Sequence, residues 1–585
     1  MMISFFISMN LFCVISLSGF AIDNDLDAFV DLSKIDNNLI KAENYAYSNK
    51  KILRISQPLI LKDNLKIRCP VVIEPGGKII CPDSKKIILD FSDVPFKADR
   101  YQVFEGFPPG TVMGLKVAFP EWWHSNQHSY ADAINCAIQS GGKVFLGPKL
   151  YDLSSSITIV PNMKLEGSGF DTELRMSDVK RSHLISNRAV SNVEISKIRF
   201  TFAGDSNAHM IYFRNDIERS TNIRIFGCWF MATGGGQEFG ITINFSDNVV
   251  ISDNWFENLS RSAVTIGGSS LAGSVGQLVV RNNTFKACAT KFDVGRGALN
   301  PQSKDYTGSV LILGNQFYDC GDPKSSLNHA IYVSKLNRAI ISNNIFFNSL
   351  GGYAISSSAK HSIVNSNIID SAYGGIDVGY YGDNLLDGTA AINSNLFSNI
   401  KHTGIRIQHS NTTVGGNSFY KVNRDHSSGI YDNSPIRTYG GIVNINIYNN
   451  IVEGEPVPNT APTLLTLDGN IKSKSIASNI MVHGNTVRGV THGLVGLGYS
   501  ANKGISGVNG LVISNNSLTS LTNGHAMTLL YDESPANHII SGFVCKNNTI
   551  FTSATSSVPV KLTNNPKIEN SIMTDNQVLQ SVAGY

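Results

Sequence analysis

The chain has 585 residues, of which 42% are hydrophobic and only 16% charged, with 52 Gly and 19 Pro. That balance excludes a disordered, collagenous or coiled-coil protein. A formal net charge of +3, spread without a basic block, lacks the electrostatic footprint of nucleic-acid binding, so no nucleic-acid partner is expected.

Residues 1–21 carry an apolar stretch (Ile3, Phe5, Phe6, Ile7, then Leu11 to Leu17) ending in Gly19, Phe20 and Ala21, a small-x-small cleavage pattern. The segment reads as a secretory signal peptide, which places the protein outside the cytoplasm, secreted or periplasmic. Ser8, Asn10 and Ser16 interrupt it, so no membrane span is expected. Seven Cys follow, an odd number with no close C-x-x-C pair; neither a zinc site nor a disulfide scaffold is signalled, and no metal or other cofactor is expected.

Residues 22–119 alternate short apolar runs with turns such as Glu74 to Gly77 and read as a small β-rich N-terminal subdomain. Residues 129–140 (SYADAINCAIQS) place Ala131, Ile134, Ala137 and Ile138 on one helical face, with Gly141 and Gly142 as a stop. Such a helix is suited to close the open apolar end of a solenoid.

From about residue 190 a motif recurs, I-x-x-N-x-F. It runs through Ile251 to Phe256, Val280 to Phe285, Ile312 to Phe317, Ile341 to Phe346, Val364 to Asn367, Ile392 to Phe397 and Val414 to Phe419, and continues at Asn450, Asn485, Asn516, Asn548 and Asn576. Successive anchors lie 22 to 35 residues apart, and the frame extends backward to Cys228. Each repeat is too short for a four-stranded propeller blade and carries period-2 runs between Gly, Asn and Ser turns. The reading is an all-β chain, a parallel β-helix of about fourteen coils over residues 120–585. Equivalent residues of stacked coils form ladders about 4.8 Å apart. The anchor Asn is then structural, bonding to the coils above and below, and the Phe two positions on is core. Cys288 and Cys320, each five residues after an anchor, read as a reduced core pair, although their stacking would also permit a disulfide.

Pro120 to Trp123 (PEWW), the helix, then Gly141 to Tyr151 (GGKVFLGPKLY) and Pro161 to Gly169 (PNMKLEGSG) resemble the opening of the pectate-lyase-like superfamily. That superfamily comprises right-handed parallel β-helix polysaccharide lyases, glycoside hydrolases and phage tailspike depolymerases. The resemblance covers most of the chain, through motifs tied to the fold rather than to one reaction. After PEWW, relatives usually run Gly-Ala into a Gly- and Asp-rich loop. Here His124 to His128 (HSNQH) stands instead, so no role of that acidic loop is carried over.

A solenoid binds extended ligands along one face, which makes a polysaccharide the natural partner. After each Phe anchor a second short strand of form G-I-x-V turns its central residue outward. Read coil by coil, those residues are Thr242, Thr265, Asp293, Tyr332, Ser356, Asp377, Arg406 and Tyr431. The resemblance implies that this strand lines the substrate groove. The longest insertions, Arg296 to Gly308, Tyr380 to Gly388 and Tyr431 to Gly440, sit beside it. Asp377, Arg406, Asp293 and His329 are the candidate catalytic residues. Tyr332 and Tyr431 are candidate sugar-stacking groups, and Tyr380, Arg296, His409 and Asp383 candidate substrate contacts.

Hydrolysis requires two carboxyls roughly 5 to 9.5 Å apart. Asp293 and Asp377, three coils apart, lie near 14 Å, so Asp383 or Asp387 would have to partner Asp377. Elimination from a uronate polymer asks instead for a base and a cation, which Tyr332, His329 and Arg406 supply. Polysaccharide cleavage is the leading expectation. A trimeric tailspike-type depolymerase or adhesin, and a non-catalytic carbohydrate-binding scaffold, are the alternatives; the oligomer is a monomer or homotrimer.

Overall fold

The computed structural model describes residues 29–580 apart from 32–34, 36–37, 83–85, 126–128, 177–182, 203–207, 216, 235–237, 268–274, 292–295, 380–387, 423–433, 439–440, 455–462, 468–474, 491–492, 499–504, 521–524, 532–538, 553–559 and 562–566. The expected signal peptide lies outside the described residues. These residues fold as two compact units: one up to Leu115 together with Glu121–Ser125, the other comprising Lys116–Pro120 and everything from Asn126 onward.

The larger unit is a right-handed parallel β-helix, the fold that the resemblance to the pectate-lyase-like superfamily implied. Three parallel sheets run its length. The first begins with Val117–Ala118, the second with Leu150–Asp152 and the third with Ile157–Thr158. The second and third hold 16 and 15 strands among the described residues, close to the coil number read from the motif spacing. Coils contribute one strand per sheet until the last two, whose first-sheet segment is split into Ile539–Ser541 with Val544–Lys546 and Lys567–Glu569 with Ile572–Thr574; right-handed progression is the favoured sense for parallel crossovers.

The anchor asparagines form one continuous ladder, buried as far as Asn548, in the turn between the first and second sheets. The side-chain oxygen of each accepts from the backbone N–H and the side-chain amide of the Asn one coil back. From Asn254 this passes through Asn283, Asn315, Asn344, Asn367, Asn395, Asn417, Asn450, Asn485, Asn516 and Asn548 to Asn576 at 2.9–3.1 Å. Each amide also donates to a backbone carbonyl one coil behind, as Asn367 does to Ile341 at 3.0 Å. The residue just before each anchor has positive φ, and it is Asn, Asp, Ser or Gly: Asn282 at 55°, Asn343 at 57°, Ser366 at 55°, Gly416 at 61°. Two demands on adjacent positions, a left-handed turn and a ladder amide, contribute to the high Asn content of the chain.

Inside, Phe200, Phe230, Phe256, Phe285, Phe317 and Phe346 stack with centroids 4.6–4.9 Å apart and planes within 8° of parallel. Ile369 interrupts the stack before Phe397 and Phe419 resume it. Cys288 and Cys320 are both free and buried, a reduced core pair. The helix Tyr130–Gln139 starts on the Ser129 side chain, which accepts from the Asp132 N–H, and buries Ala131, Ala133, Ile134, Cys136, Ala137 and Ile138.

The smaller unit is itself coiled. All its strand pairings are parallel, in three short sheets that take one strand per turn, such as Leu53↔Val71, Leu59↔Ile79 and Leu65↔Leu89. Trp122 and Trp123 complete its aromatic core with Phe91, Phe96, Phe104 and Phe107.

Candidate functional site

The outward row of the third sheet is fixed by strand register. Tyr212 pairs with Thr242, Thr242 with Thr265 and Thr265 with Asn300. The Leu299↔Ile331 register then carries Asn300 to Tyr332, and the row continues through Ser356, Asp377, Arg406 and Arg437 to Thr466. Tyr332, Asp377 and Arg406 therefore share one face, with Asp377 and Arg406 on adjacent coils.

Two positions differ from the sequence reading. Asn300, not Asp293, stands between Thr265 and Tyr332, and Arg437, not Tyr431, follows Arg406. Asp293, Tyr380, Asp383, Asp387 and Tyr431 lie outside the described residues. The errors share a cause: F-D-V at 292–294 and G-I-Y at 429–431 imitate the G-I-x-V pattern, whereas Ala298 to Asn300 and Ile436 to Thr438 make the ladder bonds. For the same reason Arg296 does not open an insertion. It begins the strand Arg296–Pro301, opposite Asn328.

Asp377 is 4% exposed and its carboxylate is held by three donors. Arg406 grips it with two bonds, Nε to Oδ1 at 2.8 Å and a terminal guanidinium nitrogen to Oδ2 at 2.6 Å, and the Gln408 amide donates to Oδ1 at 2.9 Å. A bidentate, charge-assisted fork of this kind fixes the plane of both groups. The Arg406 side chain stays 31% exposed, and its Cζ lies 4.6 Å from the centroid of the Tyr353 ring. Gly374, paired with Tyr353, leaves room for that ring: a methyl group there would lie 2.8 Å from it. Burial, and to a smaller degree the Asp377 charge, push the Tyr353 phenol up, so it is a hydrogen-bond donor at neutral pH.

His329 is 6% exposed rather than a surface group. Its ring lies 5.4 Å from that of Tyr332, the planes 13° apart. Its Nδ1 is 3.2 Å from the Tyr353 carbonyl oxygen; we assign the ring proton to Nδ1, which leaves Nε2 as an acceptor. Burial pushes the imidazole down to about 4, with the Asp377 charge opposing, so the ring is neutral at neutral pH. His409 is wholly buried and packed so closely on Gly388 that a Cβ there would lie 1.9 Å from its Nδ1. Its side chain has no exposed surface.

Tyr353, Gln408, Asn300 and Arg437 were missed. Register alone finds the last two. Tyr353 begins its strand three positions before Ser356, outside the G-I-x-V frame, yet its ring bends over the next coil. Asp377 is the one carboxylate on this row among the described residues. Among them, too, no group of three His, Cys, Asp or Glu side chains is placed to hold a metal ion, and no helix is long and apolar enough to cross a membrane.

No family model matches the chain, and no curated protein does. Solved structures do. A tailspike protein of Escherichia coli bacteriophage HK620, in complex with a hexasaccharide, is 13% identical with a TM-score of 0.41, over 76% of this chain and 75% of that one. The catalytic unit of an α-1,3-glucanase from Streptomyces thermodiastaticus is 13% identical with a TM-score of 0.32, over 81% and 70%. PfbA, a surface adhesin of Streptococcus pneumoniae, is 13% identical with a TM-score of 0.32, over 72% and 90%. At such identities the likeness lies in the stacked-coil architecture, and any chemistry rests on this chain's own side chains.

Proposed function

We propose that the third-sheet face around Asp377 binds an extracellular polysaccharide and cleaves it, by elimination from an acidic sugar. The observation that carries this reading is the Asp377 carboxylate clamped by Arg406 and Gln408 on the row that also presents Tyr332. A carboxylate fixed by three donors is a positioning group, holding Arg406 in one orientation. Arg406, oriented by it, is the cation that neutralises the substrate carboxylate; this acidifies the adjacent C–H. His329 Nε2 accepts that proton, the C–O bond to the leaving sugar breaks, and a C=C bond forms in the remaining ring. Tyr353, a phenol kept protonated, supplies the leaving oxygen with a proton. Tyr332 stacks on a sugar ring.

The test is product analysis on a panel of uronate-containing polysaccharides. The expected result is ultraviolet absorbance of an unsaturated uronate, reduced about a hundredfold or more in Arg406→Ala. New reducing ends without that absorbance would replace elimination by hydrolysis. Retained polymer with no new ends would leave a carbohydrate-binding scaffold.

A further inference from the structure

Four coils before Tyr332, the same outward row carries a second cluster of rings. His209 stacks on Tyr212 and on Phe239, both at 4.4 Å, with interplanar angles of 20° and 16°. His183 lies 4.3 Å from Tyr212. Hydrogen bonds hold the rings: the His209 backbone N–H donates to His183 Nδ1 at 3.2 Å, His209 Nδ1 is 2.8 Å from the Thr242 hydroxyl, and Arg214 donates to the Tyr212 hydroxyl at 3.2 Å. Phe239 is buried, whereas His183, His209 and Tyr212 are half-buried and keep part of their ring surface outward.

Between this cluster and Tyr332 the row holds only short side chains, Thr242, Thr265 and Asn300. Two ring platforms joined by a low floor of short side chains match a chain of rings whose faces are apolar.

We propose that the His183, His209 and Tyr212 cluster is a distal sugar-binding platform, engaged by the same glycan chain that occupies the Asp377 face. This rests on the polysaccharide reading above and deepens it: the ligand is a long chain, held at two points four coils apart. At the inter-strand spacing that separation is about 19 Å, so a short oligosaccharide reaches one platform and a longer one reaches both. The second contact then adds affinity as an intramolecular event.

The experiment is a printed array carrying acidic and neutral bacterial polysaccharides, each as a size-graded series from disaccharide to dodecasaccharide, probed with the full-length protein. The expected result is a step in apparent affinity once the chain exceeds about 19 Å. Tyr212→Ala should lower binding of the long members about tenfold, to the level of the short ones. Tyr212→Phe, which keeps the ring, should preserve the step. A step that survives both Tyr212→Ala and His209→Ala, in variants with unchanged melting temperature, overturns the platform and leaves the Asp377 face intact. Arg406→Ala separates the two ideas: it should weaken every length. Binding unaffected by Arg406→Ala overturns the underlying reading instead.

Discussion

His329 shows how burial and neighbours set a side chain's role. Its proton affinity in the folded chain corresponds to a pKa of about 4, against 6.5 for a free imidazole. Between those values an unfolded chain binds a proton that the folded chain refuses. Stability should therefore fall as pH drops from about 6.5 to about 4 and level off below, by on the order of 3 kcal/mol in total. His329→Gln, which cannot titrate, should flatten that part of a melting-temperature curve measured against pH. An unchanged slope would assign the acid sensitivity to other groups. His183, also shifted down by burial, contributes in the same direction and is the control that remains in the variant.

At the scale of the repeating element, the asparagine ladder is the most exacting requirement. Asn367 donates to the Ile341 carbonyl at 3.0 Å and to Asn395 Oδ1 at 2.9 Å, while its own oxygen accepts twice from Asn344. Asn367→Asp keeps the shape but points an acceptor at two acceptors in a buried turn. A loss of at least about 3 kcal/mol is expected, seen as accelerated hydrogen exchange confined to the coils on either side, because each coil contacts only its neighbours. Next door, Ser366 sits at φ 55°, and Ser366→Gly should remain within about 1 kcal/mol of the parent. If both changes were equally tolerated, the ladder would not be what holds the turns.

For the whole molecule, every cysteine of the described residues is buried. Burial raises the thiols of Cys136 and Cys228 to about 12 and those of Cys69 and Cys545 to about 11, so thiolate is scarce at these four at neutral pH. A soluble thiol reagent should leave these seven groups unlabelled in the native protein and modify them all in denaturant. Rapid native labelling at Cys288 or Cys320 would mean that the coils open locally.

The sequence by itself determined the coil. Recurrence of Asn and Phe at a nearly constant offset is local information, and it dictates which residues turn inward, which stack and which form a ladder. It brought Tyr332, Asp377 and Arg406 to one face because all three fall in the same G-I-x-V frame. Only the tertiary structure decided the partners within that face. Loops of unequal length shift the frame, so Asn300 and Arg437 took places that spacing gave to Asp293 and Tyr431. Burial, which depends on every neighbouring coil, hid His409, neutralised His329 and let the Tyr353 ring lie over Gly374. Ladders repeat and are therefore legible in one dimension; a site is where the repeat is broken, and each break is settled by contacts between residues far apart in the chain.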